Sequence, residues 1–282
     1  QLADKMLDSL SIEQVSGGLQ DGLVLENLRF QTTGVDVALP KTRLQLNLAR
    51  LLSGDIIVDD LSLMQPKIAI DTSVMPPSEE KSTESGPMEK IHLPVSVQVK
   101  NVAITDFDMK LDQSNITFSS FQSAVSLNNE SGLTLEPTTL SDVLFSTVSQ
   151  TQPNPPQPEQ KEPTKPVDWA QIEQTLTPAF LGNLNAVNLP FDMHIPSFLG
   201  TNWQYQSLNE KGEETQKITV PKIELQADAT DHLVKLQKLD IDSSLGTLSS
   251  QGQLRLNEDF PVDLTLKSDL QAFKSKDKTI LP

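Results

Sequence analysis

An eight-residue pattern recurs five times along the chain: apolar, any, apolar, any, any, apolar, any, apolar. It reads Leu23, Leu25, Leu28, Phe30, then Ile56, Val58, Leu61, Leu63, then Val97, Val99, Val102, Ile104. The last two copies are Ile218, Val220, Ile223, Leu225 and Val234, Leu236, Leu239, Ile241. A helix would place its apolar residues at i, i+3, i+4 and i+7. This spacing instead fits a strand of period two whose parity slips once in the middle. Two residues stand in the place of one at Glu26-Asn27, Asp59-Asp60, Lys100-Asn101, Pro221-Lys222 and Gln237-Lys238. A β-bulge does this, and it bends the strand and raises its twist. The rival is a tight hairpin, and none of the five pairs has the Asn-Gly or Asp-Gly form that such turns favour. Composition alone would give roughly one or two matches to such a template, so not all five copies need be real.

The rest of the chain continues in strand fashion with few interruptions. Leu2, Met6, Leu7 and Leu10 share one helical face, which predicts a short helix over residues 1–14, and residues 49–52 read as one helical turn ending near Gly54. Leu44, Leu46 and Leu48 alternate, as do Phe107, Met109, Leu111, then Ile116, Phe118 and Val125, Leu127. Residues 75–90 are rich in proline and charge and read as an exposed, disordered loop. Residues 150–168 form a proline-rich linker or loop. Asp168 then caps a helix carrying Trp169, Ile172, Leu176 and Phe180 on one face, with Pro178 inside it. Alternation returns at Leu189, Phe191, Met193 and Ile195 and closes with Val262, Leu264 and Leu266. The organisation expected is a first sheet segment over 1–149, the linker over 150–168, and a second segment over 169–282 that begins with a helix.

The expected fold class is therefore mostly β: an elongated, twisted and curled sheet with two or three short helices. An apolar sheet face needs a cover, and so few helices cannot supply one. A closed β-sandwich or β-helix core would seal the stripe with protein. The alternative is an open, curled sheet whose apolar inside forms a groove that holds a lipid chain.

Composition narrows the function. The net charge is −16 and the pI about 4.5. No cluster of Lys and Arg exists to neutralise phosphates, so nucleic acid is not an expected partner. Aromatic residues make up only 5% of the chain, which favours an aliphatic surface over aromatic stacking platforms. There is no cysteine, which excludes thiol catalysis and Cys-based zinc sites and suits a periplasm. No apolar run reaches the ~18 residues that span a bilayer, and the chain begins at Gln1 without a signal peptide, so it reads as a processed or trimmed piece of something longer.

No motif supports an enzyme. His92, His194 and His232 lie far apart in sequence, without metal-ligand spacing. Asp106, Asp108 and Asp112 suggest a calcium loop, but Leu111 and Thr117 occupy the positions that require Gly and Glu. The aspartates fit the polar face of a strand instead. Gly17-Gly18 is too short to cradle phosphate, and no nucleophile elbow or dinucleotide fingerprint is found. No cofactor and no metal is expected.

Several stretches resemble the N-terminal part of the TamB family. They are Val15-Ser16-Gly17-Gly18 before the first pattern copy, Val58-Asp59-Asp60-Leu61 leading to Ile70-Asp71-Thr72, and Met75-Pro76-Pro77-Ser78 with Ser85-Gly86-Pro87. The longest runs from Leu239-Asp240-Ile241-Asp242-Ser243-Ser244 to Phe260-Pro261-Val262-Asp263-Leu264-Thr265-Leu266. The resemblance implies an AsmA-like β-taco, a long sheet folded into a groove with an apolar inside. It further implies the periplasm of a Gram-negative bacterium, an inner-membrane anchor, and partnership with TamA, an outer-membrane barrel protein. Two roles follow from it: assembly of autotransporters and other outer-membrane protein clients, and phospholipid passage between the membranes. Set against the full family, the chain is expected to stand without the anchor and the long C-terminal portion that reaches TamA, and that contact is expected through other parts of the full protein.

The candidate groove-lining residues are Leu23, Leu25, Ile56, Val58, Val95, Val97, Val99, Val102, Ile104, Ile218, Val220, Ile223, Leu225, Leu236, Leu239 and Ile241. They would shield phospholipid acyl chains. The other class of function is a chaperone-like scaffold whose sheet edges pair with client strands; a hydrolase would need a catalytic cluster assembled by folding.

Overall fold

A computed structural model describes residues 9–51, 54–75, 95–148, 189, 191–256 and 261–270, together with a small strand pair at Lys274–Ser275 and Lys278–Thr279. The first part of the chain forms β1 (Leu10–Ser11), β2 (Gln14–Ser16), β3 (Leu23–Thr32), β4 (Val35–Leu46), the one-turn helix α1 (Leu48–Leu51), β5 (Ile56–Met64) and β6 (Lys67–Ile70). The middle forms β7 (Val97–Leu111), β8 (Ser114–Asn128), β9 (Gly132–Leu135), β10 (Thr138–Ser141) and β11 (Leu144–Val148). Then come β12 (Met193–Leu208), β13 (Glu214–Thr230), β14 (Leu233–Ser243), β15 (Gly246–Arg255) and β16 (Val262–Leu270). All sixteen belong to one curved sheet.

The helical turn expected near residues 49–52 is α1, capped by Asn47, whose side-chain oxygen accepts from Arg50 N at 3.2 Å. The helix expected over 1–14 does not extend to Leu10. Leu10 pairs with Phe30, and Gln14–Ser16 pair with Glu26–Val24, because the outer edge of β3 presents backbone groups that a strand satisfies and a helix does not. Leu2, Met6 and Leu7 lie outside the described residues, as do most of the 75–90 loop, the 150–168 linker and the helix after it.

Neighbouring strands are antiparallel except at two places. β5 and β6 lie end to end and pair in parallel with β7, and β9, β10 and β11 lie end to end and pair in parallel with β12. A parallel pair needs a crossover connection of a dozen or more residues. The two long polar stretches of the sequence fall in those two connections, and strands from both sides of residues 149–192 share the one sheet.

The five parity slips divide into two kinds. Three are bulges with a break in register: at Asp59-Asp60 against Gln45 and Leu46, at Lys100-Asn101 against β8, and at Gln237-Lys238 against both β13 and β15. The other two leave the pairing unbroken. Glu26 faces Lys41 and Leu28 faces Leu39, while Thr201 faces Lys222 and Trp203 faces Val220. Here the partner strands slip together about a left-handed residue: Asn27 (φ 52°) opposite Pro40, and Asn202 (φ 57°) opposite Pro221. Asn accepts this conformation more readily than most residues, and proline needs no ladder bond at such a point. Gln65, Asp106 and Asp142 are left-handed in the same way and lie in the same transverse line, with Ser119 between the two aspartates.

Two creases therefore cross the sheet perpendicular to its strands. One runs through Asn27, Pro40, Gln65, Asp106, Ser119, Asp142, Asn202 and Pro221. The other runs through Asp59-Asp60, Lys100-Asn101, the β9–β10 joint at Glu136-Pro137, Pro196-Ser197 and Gln237-Lys238. Polar side chains fasten both. Lys100 Nζ meets Asp59 Oδ1 at 2.6 Å and Asn101 Nδ2 donates to Asp60 Oδ1 at 2.6 Å. Ser119 Oγ donates to Asp142 at 2.5 Å, and Asn202 Nδ2 donates to the same carboxylate at 3.1 Å.

The first crease predicts a set of outcomes. Asn202→Gly should lose only the bond to Asp142, worth about 1 kcal/mol, because glycine enters the left-handed region freely. Asn202→Asp, which keeps a short polar side chain, should also accept that conformation. Asn202→Val should cost about 1–2 kcal/mol beyond the Asn202→Gly loss and lower the melting temperature by several degrees in a calorimetric scan. Equal losses in the Gly and Val variants would show that φ at this position is not what matters.

Candidate functional site: a creased apolar face

Between the creases lie two transverse rows of side chains. One runs Leu25, Thr42, Leu63, Ile104, Phe121, Leu140, Gly200, Ile223, Ile241. The other includes Leu23, Leu44, Leu61, Val102, Ser123, Thr138, Phe198, Leu225 and Leu239. These two rows are termed the floor, and the rows beyond each crease the walls. Beyond the bulge crease stands a first wall, with Val58, Val99, Val125, Leu135 and Leu236 in its lower row and Ile56, Val97, Leu127, Leu133 and Val234 above. Beyond the left-handed crease stands a second wall, with Leu28, Leu39, Phe107, Phe118, Trp203 and Val220 in its lower row and Phe30, Val37, Ile68, Met109, Ile116, Phe145, Tyr205 and Ile218 above.

Ring contacts confirm that the parity slip keeps these residues on one face. Phe198 and Trp203 are an odd number of residues apart, yet their rings meet edge to face at 6.1 Å across the crease. The Trp203 ring lies over Gly200, and its Nε1 donates to Leu140 O at 3.1 Å. In the second wall Phe107 stacks on Phe118 at 4.6 Å and Phe145 on Tyr205 at 5.7 Å.

Register thus brings the predicted lining residues onto one surface. Leu23, Leu25, Val102, Ile104, Ile223, Leu225, Leu239 and Ile241 lie in the floor. Ile56, Val58, Val97, Val99 and Leu236 lie in the first wall, Ile218 and Val220 in the second, and Val95 just before β7. All sixteen are half-buried. The aromatic residues were missed. Composition suggested an aliphatic surface, whereas the few aromatic residues gather on the floor and second wall of β7–β12.

Among the described residues no hydrophobic side chain is buried. The buried side chains are small and polar: Thr42, Ser123, Thr138 and Ser250, all on the floor rows or their extension into β15, and Ser207. These residues are small enough for their neighbours in the rows to cover them. Ser123 and Thr138 share a hydrogen bond of 2.8 Å, while the Thr42 and Ser250 hydroxyls have no partner.

The opposite face is charged. Glu224 meets Lys238 at 2.8 Å and Lys222 at 3.0 Å, and Lys238 reaches Asp240 at 3.3 Å. Hydrogen bonds from Lys238 and Lys222 hold the Glu224 carboxyl below its usual range, and Glu224 and Asp240 together raise the Lys238 ammonium. Hydrogen bonds from Ser119 and Asn202 likewise depress the Asp142 carboxyl. Discrete cavities lie at strand ends and on this polar face. One of about 730 Å³ is bordered by Gln31, Gly34, Asp71, Lys110 and Asp112. No group of His, Asp and Glu among the described residues is arranged to hold a metal ion, and no described helix is long and apolar enough to cross a membrane.

The family model described as TamB, N-terminal domain, matches residues 1–281. The chain is also similar to the translocation and assembly module subunit TamB of Haemophilus influenzae, at 50% identity over 284 aligned positions. That alignment covers all of this chain and 22% of the relative, so the chain spans about a fifth of the relative's length. A family match over nearly every residue, and half-identity to a curated member, make this chain a member of the TamB family, corresponding to its N-terminal portion.

Proposed function

We propose that this chain is the inner-membrane-proximal stretch of a hydrophobic groove. In the Gram-negative periplasm the groove conducts phospholipids between inner and outer membrane and supports outer-membrane protein and autotransporter assembly within the translocation and assembly module. One observation carries the reading. A largely apolar floor and two apolar walls run together across the strands, and among the described residues none of their hydrophobic side chains is buried. The rows cross about nine strands at ~4.8 Å each, or roughly 40 Å, so a fatty-acyl tail can lie along the floor without meeting an end. Transfer is passive: each buried CH₂ is worth about 0.8 kcal/mol, head groups stay in water, and no cofactor or catalytic group is involved. Contact with a TamA-like barrel falls to other parts of the full protein.

A specific observation favours a second reading, a scaffold for client strands. All nine residues of edge strand β16 are exposed, with Val262 at 65% and Leu266 at 58%, and such an edge accepts an added strand. Native mass spectrometry with lipid extraction of the purified chain tests the first reading. Bound phospholipid is expected. Protein that stays folded and monodisperse after complete delipidation, with its apolar face closed on itself, would sink the groove.

A further inference from the structure

The two walls end differently. Over β8, β9, β12 and β13 the first wall is apolar up to its last row, Leu127, Leu133, Met193 and Ala229. The second wall matches it with two apolar rows and then continues for a third. Across β8, β11, β12 and β13 that third row is Ser114, Thr147, Ser207 and Gln216. Ser114 Oγ lies 3.3 Å from Thr147 Oγ1, and Tyr205 stands in the row beneath, stacked on Phe145. Over β8–β13 one rim is thus hydrocarbon and the other is hydroxyl and amide above Tyr205, whereas over β4, β6 and β7 the same third row is Val35, Ile70 and Leu111. Tyr205 pairs an apolar body with a polar tip, a property suited to the boundary between hydrocarbon and polar groups.

We propose that the groove binds its glycerophospholipid in one orientation, with the ester and head-group end against the hydroxyl rim of the second wall and the acyl tails turned under the first. The inference rests on the lipid-groove reading and adds to it a direction across the groove. The physical reason is the mismatch of the two rims. A carbonyl or phosphate oxygen at the first rim would face only Leu, Met and Ala and lose its hydrogen bonds, at the cost of an unpaired polar group. At the second rim the same oxygen meets the Ser114 and Thr147 hydroxyls and the Gln216 amide, while Ser207 is buried. A tail laid against the second rim would in turn forgo the apolar contact that the first supplies. A non-polar hydrocarbon gains nothing from the asymmetry, so the ligand class is an amphiphile with oxygen acceptors next to its tails.

Single-tryptophan quenching reads the orientation. Both native tryptophans are replaced, by Trp169→Phe and Trp203→Phe, in the full chain, and one tryptophan is placed at a rim: Thr147→Trp on the second wall or Met193→Trp on the first. Each protein is loaded with phosphatidylcholine carrying a nitroxide either on the head group or near the end of an acyl chain. The head-to-tail quenching ratio is expected to be several-fold higher at position 147 than at 193. Equal or reversed ratios overturn the orientation while leaving the groove intact. No quenching by either lipid at either rim overturns the groove reading and the orientation with it. Gln216→Trp and Leu133→Trp, on the same two walls, repeat the comparison should the first pair fail to fold. Ser114→Ala with Thr147→Val, read from the Gln216→Trp probe, should move its ratio toward that of the first wall; an unchanged ratio contradicts a role for the hydroxyls.

Discussion

Ile104→Asp should lower lipid loading at least tenfold, while Gln98→Asp leaves it unchanged. Ile104 lies on the floor, flanked in its row by Leu63 and Phe121. A carboxylate there would face hydrocarbon from the bound tail and from both neighbours, with no donor beside it. Placing an unpaired charge in such surroundings costs several kcal/mol, and each 1.4 kcal/mol is a factor of ten in affinity. Gln98 lies on the same strand but on the other face, exposed and paired with Ile57 and Ser126. Val99→Asp extends the expectation to the first wall, where Val99 sits between Val58 and Val125. Lipid per protein, measured by extraction after gel filtration with circular dichroism as the folding control, decides the matter. Equal loading in all three variants would remove these residues from the lining.

Gly200→Val is expected to produce a large stability loss and to displace one aromatic ring. A Cβ at Gly200 would stand 2.9–3.0 Å from three atoms of the Trp203 indole. The ring would have to leave, losing its bond to Leu140 O and its edge contact with Phe198. Overpacking of this kind costs about 1–3 kcal/mol, and the lost hydrogen bond adds about 1 kcal/mol. A drop of roughly 5–15 °C in melting temperature follows, with a red shift in tryptophan emission as the ring meets water. Gly18→Ala is the control, since nothing lies within 4 Å of its Cβ position, and it should change neither. A Gly200→Val protein with native emission and stability would mean that the ring does not rest on this backbone.

The sheet was legible in the sequence because its pattern is local: each copy lies within eight residues of one strand. What stayed hidden depended on pairing. β7 carries Val97, Val99, Val102, Ile104, Phe107, Met109 and Leu111 in one run with two slips, and only the left-handed crease at Asp106 explains why the pattern resumes at Phe107. β10 and β12 follow the same plan, but Thr138 and Gly200 occupy floor positions where the template demands an apolar residue, so those strands escaped it. The aromatic wall was invisible for a related reason. Phe107, Phe118, Phe145 and Tyr205 come from four strands, and register alone sets them side by side. A bulge accounts for three of the slips, yet Asn27 and Pro221 preserve register, because a left-handed residue in one strand and its partner's matching slip restore parity without an extra residue. The two proline-rich stretches could have signalled the parallel junctions, since such pairing requires a long return.

The central claim is that the creased apolar face, and not the opposite face or the edges, carries lipid. Site-specific photocrosslinking in living cells tests it most directly. A photoreactive residue is placed in turn at Leu63, Ile104 and Leu140 on the floor, and at Ser62, Ala103 and Thr139, their neighbours on the other face. Phospholipid adducts at the three floor positions and none at the other three are the result expected. Adducts shared equally by both faces, or floor positions that capture only protein strands, would contradict it.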